Sequence, residues 1–385
     1  MYCRKITALF FLSLLLFAGC DSVGDSDPPI DAHTSATQQD KEFIPALEYL
    51  HRHPEQKEIS QRFSAIVQED AVPLPQKNLK LISIAFVYPG EQASDYWRRS
   101  VTSFVSRMEA LNIDYSLNEY FSKGGGVDVL KQEQQLREAL EQDPDYLVFT
   151  LDVNRHKPFI ERILARGHPR LILQNITTPL SIWEKNQPYY VGFDHGIGTR
   201  MLADYFLTKF DGDDSYGMLY FSQGYVSKMR GDTFIQYMRK DHGPSLVGAY
   251  YTDGQLAKAK QATMDILEES KPRFLYACST DVALGAIEGL KEKGKLGEIL
   301  VNGWGGGSAE LAAMKRGELA ATVMRMNDDN GVAMAEIIRL ELLGKGDEVP
   351  TLFSGAFTLI TTATSAKEVE DLKSQAFRYS GMDDR

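Results

Sequence analysis

Two α/β lobes, each built on a doubly wound parallel sheet, are what the sequence predicts, and three observations carry that prediction. Short apolar runs of strand length alternate with helical periodicity from Leu81 onward. The strand-like runs number eleven, more than one doubly wound sheet holds comfortably. A chain of 385 residues, 43% hydrophobic and 10% aromatic, has the material for two separate cores.

The elements follow in chain order. Arg4 and Lys5 precede the apolar run ITALFFLSLLLF at 6–17. That run is too short to cross about 30 Å of hydrocarbon, and it reads as the core of a signal peptide over 1–19. The next residues, FAGC at 17–20, match a bacterial lipoprotein cleavage site, which makes Cys20 the candidate lipidation site. Cleavage near Ala18 with release of a soluble chain is the alternative. Asp21, beside Cys20, resembles a signal that keeps lipidated proteins on the inner membrane. Residues 20–42 are polar, with Ser, Asp and Pro, and read as a flexible tether. A helical extension is expected over 43–79, with Ile44, Leu47 and Leu50 at helical spacing.

LISIAFVY at 81–88 reads as a buried strand. Trp97, Val101, Phe104, Val105, Met108 and Leu111 then form one helix stripe. Further strands are expected at 113–120, 146–151, 170–174, 189–193, 216–222, 246–251, 273–279, 299–303, 320–326 and 356–361. We divide these into an N-terminal lobe of 80–177 with 327–355 and a C-terminal lobe of 178–326 with 356–385. The chain would then cross a hinge three times.

The formal charge of −11, with no dense Lys/Arg cluster, argues against a nucleic-acid partner. Cys3 falls in the signal and Cys20 at the cleavage site, which leaves Cys278 alone in the apolar run FLYACS as a small core residue. No internal disulfide is expected. VNGWGGGSAE at 301–310 approaches the dinucleotide fingerprint, with Arg325 downstream as a phosphate partner, but it lacks the third glycine and carries Trp304 inside the turn. The chain has no G-x-x-x-x-G-K-[ST] and no H-E-x-x-H, and Glu310 breaks the G-x-S-x-G pattern at Ser308. The histidines show no metal-ligand spacing beyond His51 and His53 in the extension. Neither an enzyme, nor a metal site, nor a cofactor is expected.

Ligands of such sheets bind beyond the carboxyl ends of the strands. Those ends carry YPGEQASDYW, FTLDVNRH, LQNITTP, FDHGIG, FSQGYVSKMRGD, CSTD, NGWGGG and MRMNDD, which are rich in hydrogen-bonding side chains and poor in catalytic combinations. A binding cleft is the reading this favours. Trp97 and Trp304 could present aromatic faces from opposite lobes to the C–H surface of a polyhydroxyl ring. Trp97 reads equally well as core.

STDVALGAIEGLKEKGK at 279–295 and the stretch from VNGWGGGSAEL to VMRMNDDNG resemble ribose-type periplasmic sugar-binding proteins. Together with YPGEQASDYW, LILQNITTP, YVGFDH, LYFS with RGDTFI, and the terminal AFRYS, they resemble the LuxP family of periplasmic autoinducer-2 receptors. The resemblance runs from about residue 48 to 380 and implies the type I periplasmic binding protein fold. It implies ligand contacts at Gln92, Ser94, Trp97, Asn175, Arg230, Thr280, Asp281, Trp304 and Arg325, with Asp281 accepting from ring hydroxyls. His195, in FDHG, lies outside this set.

The implied ligand is the furanosyl borate diester form of autoinducer-2, boron being part of the ligand. Its negative charge gives the two arginines a chemical reason. The implied partner is a LuxQ-type inner-membrane sensor kinase, and the implied location is the periplasm. Membrane contact would come only through lipid on Cys20, since the tether and FAGC are not part of the resemblance. The sugar-binding component of an uptake transporter is the alternative function.

Overall fold

The computed structural model describes residues 42–78, 80–123, 127–151, 153–183 and 187–381. The signal peptide, Cys3, Cys20 and the tether up to residue 41 lie outside the described residues. Among the described residues no helix is long and apolar enough to cross a membrane.

Strands whose side chains are apolar on both faces need cover on both, and these runs meet that condition by lying between helices. β1 (Ile82–Tyr88), β2 (Tyr115–Phe121), β3 (Tyr146–Phe149), β4 (Arg170–Gln174), β5 (Tyr189–Phe193) and β11 (Leu352–Gly355) form one six-stranded sheet in the order β11-β5-β4-β3-β1-β2. All its pairings are parallel. β6 (Ser215–Tyr220), β7 (Ser245–Tyr251), β8 (Phe274–Ala277), β9 (Leu300–Gly305), β10 (Ala321–Arg325) and β12 (Phe357–Thr361) form the second sheet, in the order β12-β10-β9-β8-β6-β7. There only the β10–β12 pair is antiparallel. The molecule is therefore two α/β lobes of the type I periplasmic binding protein fold.

Two features differ from the sequence reading. Four residues of β11, just after Pro350, form an edge strand too short and too mixed in polarity to register as a periodic run. The first crossing also moves. β5 pairs with β4 and β11, for example Leu173 with Tyr190 and Val191 with Phe353, so it belongs to the N-terminal lobe. The chain passes over after Phe193 rather than at 177–178, because the Pro-containing run after Gln174 is a loop, buried over 175–180, that returns the chain to the same sheet. The second and third passages lie between β10 and the helix Asp329–Leu342 and between β11 and β12.

The extension also differs. Pro54 splits it into helices Ala46–Arg52 and Pro54–Gln68, and Leu47 points to solvent at 71% exposure, so the Ile44/Leu47/Leu50 stripe is not the buried face. Of that stripe Ile44 is buried, together with Phe43, Ala46 and Tyr49 and with Phe63 and Val67 of the second helix.

The helix Asp329–Leu342 is buried along most of its length and lies against the helix Tyr96–Ala110. Gly331 makes the approach close, since a Cβ there would lie 2.4 Å from Phe104 N and from Ser100 O. Arg107 locks this packing. Its guanidinium pairs with Glu336 at 2.6 Å, both groups essentially without exposure, and it donates to Glu69 O and to Tyr379 Oη. The C-terminal residues close over the second crossing. Tyr379 N and Ser380 N both donate to Asp328 at 2.7 Å, and Arg378 pairs with Asp329 at 2.6 Å.

Candidate functional site

Both sheets direct their carboxyl ends toward the space between the lobes, and a cavity of about 40 Å³ remains there. Gln92, Ser94, Tyr96 and Trp97, after β1, and Asn175, after β4, line it from the N-terminal lobe. Phe221, Val226 and Arg230 after β6, Ser279 and Thr280 after β8, and Trp304 and Arg325 at the ends of β9 and β10 line it from the other. Eight of the nine residues named from the sequence are thus brought together.

Asp281 is the exception. Its carboxylate accepts from Ala93 N at 2.9 Å and from Ser94 N at 3.4 Å, both across the cleft, so its oxygens engage the opposite lobe rather than the cavity. Burial raises its pKa, and those two backbone donors oppose the rise. Asp95 makes the reciprocal contact, accepting from Ser308 N at 3.2 Å and Ser308 Oγ at 2.9 Å. Burial raises the Asp95 pKa, but Arg99 at 2.6 Å and the Ser308 donors outweigh it and hold the carboxyl below its ordinary range. Two carboxylates, one from each lobe, therefore clasp the closed cleft through direct hydrogen bonds.

The glycine turn serves this closure. Gly306 has φ 66° and would place a Cβ 2.4 Å from Met324 Cα, while a Cβ on Gly307 would lie 2.2 Å from Asp95 Oδ1. On Gly305, φ 139°, it would meet Arg325 Nη2 at 2.4 Å. The glycines thus admit the backbone of β10, the arginine and the opposite lobe's carboxylate. Buried Glu310, noted in the sequence only for breaking a motif, organises the turn. It accepts from Trp304 N, Gly306 N, Thr280 Oγ1 and Thr322 Oγ1 at 2.5–2.9 Å.

Trp304 is fully buried, and its indole nitrogen donates to Tyr276 Oη at 3.2 Å. The Arg230 guanidinium lies over its ring at 3.7 Å, so the indole carries a cation as well as lining the cavity. Trp97 is 4% exposed and stacks on Tyr88 at 5.3 Å, at once core and cavity wall. Arg325 lies 4.0 Å over Tyr96, whose hydroxyl accepts from Asn330 at 2.6 Å.

The charges are the notable imbalance. Arg230 donates through Nη1 to Cys278 O at 2.8 Å and has a π-helical turn, Lys228–Asp232, as its base. Among the described residues neither Arg230 nor Arg325 has a carboxylate within ion-pair distance, and the Nε of each is buried without a partner. Burial, and then Arg325, lower the Arg230 pKa to about 9. Burial likewise lowers that of Arg325, against the pull of Tyr96 and of the Glu310 and Asp95 carboxylates, which lie beyond ion-pair distance. Both remain cationic at neutral pH. Two unpaired guanidiniums in one closed cleft are costly unless an anion joins them.

His195, outside the set named from the sequence, touches Asn175 and Arg230 from beneath this cleft. Tyr96, Phe221, Val226 and Ser279 were likewise not named; they flank the named residues in their motifs, and only proximity marks them. Cys278 is fully buried, and burial pushes its thiol well up. Among the described residues no group of three His, Cys, Asp or Glu side chains is arranged to hold a metal ion.

The family model described as the periplasmic binding protein domain matches residues 84–346. Solved structures share the fold at low identity. An ABC transporter solute binding protein from Agrobacterium vitis with bound D-fucose is 15% identical, covers 76% of this chain and 99% of its own, and superposes with a TM-score of 0.66. A galactofuranose binding protein is 18% identical over 77% of this chain and 99% of its own, with a TM-score of 0.63. A periplasmic ribose ABC transporter protein from Conexibacter woesei is 18% identical over 79% and 96%, with a TM-score of 0.61.

Proposed function

The chain belongs to the periplasmic binding protein domain family, and from that premise we propose that it closes its two lobes on a small, hydroxyl-rich, negatively charged ring. The observation that carries this reading is the pair of buried guanidiniums, Arg230 and Arg325, without a carboxylate partner among the described residues. Charged hydrogen bonds from two arginines favour a ligand with an anionic centre, at about 1.5–3 kcal/mol each. Asn175, Gln92, Ser94, Ser279 and Thr280 supply the neutral donors and acceptors that hydroxyls require.

The furanosyl borate diester of autoinducer-2 meets both demands, and the motif resemblance to the LuxP family supports it. In this reading the closed receptor is sensed by a LuxQ-type membrane kinase, and lipid on Cys20 would hold both in one plane. The ligand is bound and released without turnover. The neighbours that bind D-fucose, galactofuranose and ribose support a second reading at least as directly: capture of a neutral pentose or hexose for an uptake transporter. The two readings part at the charge of the ligand.

Titration calorimetry on the purified protein separates them, using synthetic autoinducer-2 with and without added borate, D-ribose and D-galactose. The receptor reading expects binding that strengthens with borate and no competition from the aldoses. Tight binding of a neutral aldose, indifferent to borate, would transfer the assignment to sugar uptake.

A further inference from the structure

His195 opens the helix His195–Leu207 directly after the first crossing, so it sits where the lobes meet. Its ring is fully buried. Nε2 lies 3.2 Å from Asn175 Oδ1, in the N-terminal lobe, and 3.4 Å from Arg230 Nη2, in the C-terminal lobe. Trp304 meets the ring edge-on at 5.2 Å and Tyr225 lies at 5.3 Å. One imidazole therefore touches three residues that line the cavity, while standing outside the lining itself.

Building on the anion reading above, we propose that His195 is a positioning residue of the ligand site: an uncharged ring that holds Asn175 of one lobe and Arg230 of the other in register. A neutral imidazole has one N–H and one lone pair. With its proton on Nε2 the ring donates to Asn175 Oδ1, and Nδ1 remains an acceptor, buried and without a partner. Arg230 Nη2, a donor 3.4 Å from the same nitrogen, then makes no hydrogen bond to it and rests by contact against a ring that carries no charge. A second proton, on Nδ1, would find no acceptor and would add a positive charge beside two guanidiniums. The groups facing the ring make this one-sided. Arg230 comes from the π-helical turn, Arg325 from β10 and Tyr225 from its short helix, while Asp194, next to it in the chain, accepts from Ile197 N at 3.2 Å as the cap of its own helix. Burial, then Arg230, then Arg325 hold the ring well below the ordinary histidine range.

The consequence has a definite sign. In an open cleft the ring loses Asn175 of the opposite lobe and part of its burial, so its pKa rises toward the ordinary value of about 6.5. Closing must expel that proton, so affinity is full above about pH 6.5 and falls as pH drops below it, by up to about tenfold per unit. The experiment titrates synthetic autoinducer-2 with added borate into wild type, His195→Gln and His195→Leu between pH 8 and 5. Glutamine keeps a donor at the place of Nε2 without a titrating ring, and leucine keeps only bulk. We expect His195→Gln within about threefold of wild type above pH 7 and His195→Leu weaker by about tenfold or more. The wild type should lose affinity below pH 6.5 relative to His195→Gln, a comparison that cancels any change in the ligand itself. Equal weakness of both variants, or parallel pH profiles for wild type and His195→Gln, would overturn the proposal. If wild type binds no probe at any pH, the ligand reading fails instead. His195 is then tested in the unliganded protein by the Arg230 side-chain nitrogen resonances, which His195→Leu should shift and His195→Gln should leave in place; no shift in either variant overturns it.

Discussion

Replacing Arg325 by methionine should move affinity and stability in opposite directions. Arg325 is 5% exposed, has no hydrogen-bond partner among the described residues, and rests 4.0 Å over Tyr96. Methionine fills comparable volume and keeps the contact with the ring. On the binding side, the anion loses at least one charged hydrogen bond of about 1.5–3 kcal/mol, a factor of about ten to a hundred or more. On the folding side, the closed protein is relieved of an unpaired buried charge. The cation–π contact that is lost, about 1 kcal/mol, is smaller than the several kcal/mol needed to hold such a charge out of water. A net gain on the order of 1 kcal/mol corresponds to a rise of about 2 °C in Tm for a chain of this size. Calorimetric titration with borate-supplemented autoinducer-2 and scanning calorimetry in an anion-poor buffer read the two effects. Affinity retained within about threefold, or a fall of several degrees in the unliganded Tm, would show that Arg325 is a structural residue and that the anion argument is unsound.

Asp281→Asn keeps one oxygen for Ala93 N–H but turns an amide toward Ser94 N–H, so dissociation should quicken by about tenfold with association nearly unchanged. Stopped-flow tryptophan fluorescence measures this, and a loss confined to ligands carrying one particular hydroxyl would mean that Asp281 touches the ligand after all. Arg107→Ala leaves Oε1 of the fully buried Glu336 without its partner while Arg339 still holds Oε2, and should cost about 1.5–3 kcal/mol in urea unfolding; a loss below about 1 kcal/mol would refute the locking role. Phe43 is bonded through its neighbours to the loop at Pro179–Ser181 and packs 5.0 Å from Tyr225 of the other lobe. Phe43→Ala should cost about 3 kcal/mol and free the Ile44 amide, now donated to Pro179 O at 2.8 Å, to exchange with solvent. Unchanged exchange there would place the stability of the N-terminal extension elsewhere.

The sequence carried the architecture well wherever a residue's type dictates its surroundings. Apolar runs such as LISIAFVY can be satisfied only between two layers of helix, and the stripe from Trp97 to Leu111 has one face that can be buried. What stayed hidden depends on direction and on partners distant in the chain. β11 is a strand only because Tyr190 and Val191 offer it an edge. Asp281 and Asp95 belong to the type of residue that binds hydroxyls, and nothing in CSTD or ASDYW says that each carboxylate points at the backbone of the other lobe. The glycines of NGWGGG announced a close approach, while what approaches comes from two other places in the chain, Met324 and Arg325 of β10 and Asp95 after β1.

These hidden contacts change how ligand binding closes the molecule. The clasp of Asp281 on Ala93 and Ser94, and of Asp95 on Ser308, is made between protein atoms alone and favours closure. Arg230 and Arg325 oppose it, because closing dehydrates two like charges, and Arg325 adds to burial in lowering the tendency of Arg230 to stay protonated. A ligand shifts a two-state balance only through its different affinity for the two states. An anion cancels the one term that resists closure, whereas a neutral ring of the same shape adds hydrogen bonds and leaves the repulsion standing. Selectivity for charge then arises from the closing step itself, and removing either arginine should make the unliganded lobes more closed as it makes the anion bind less.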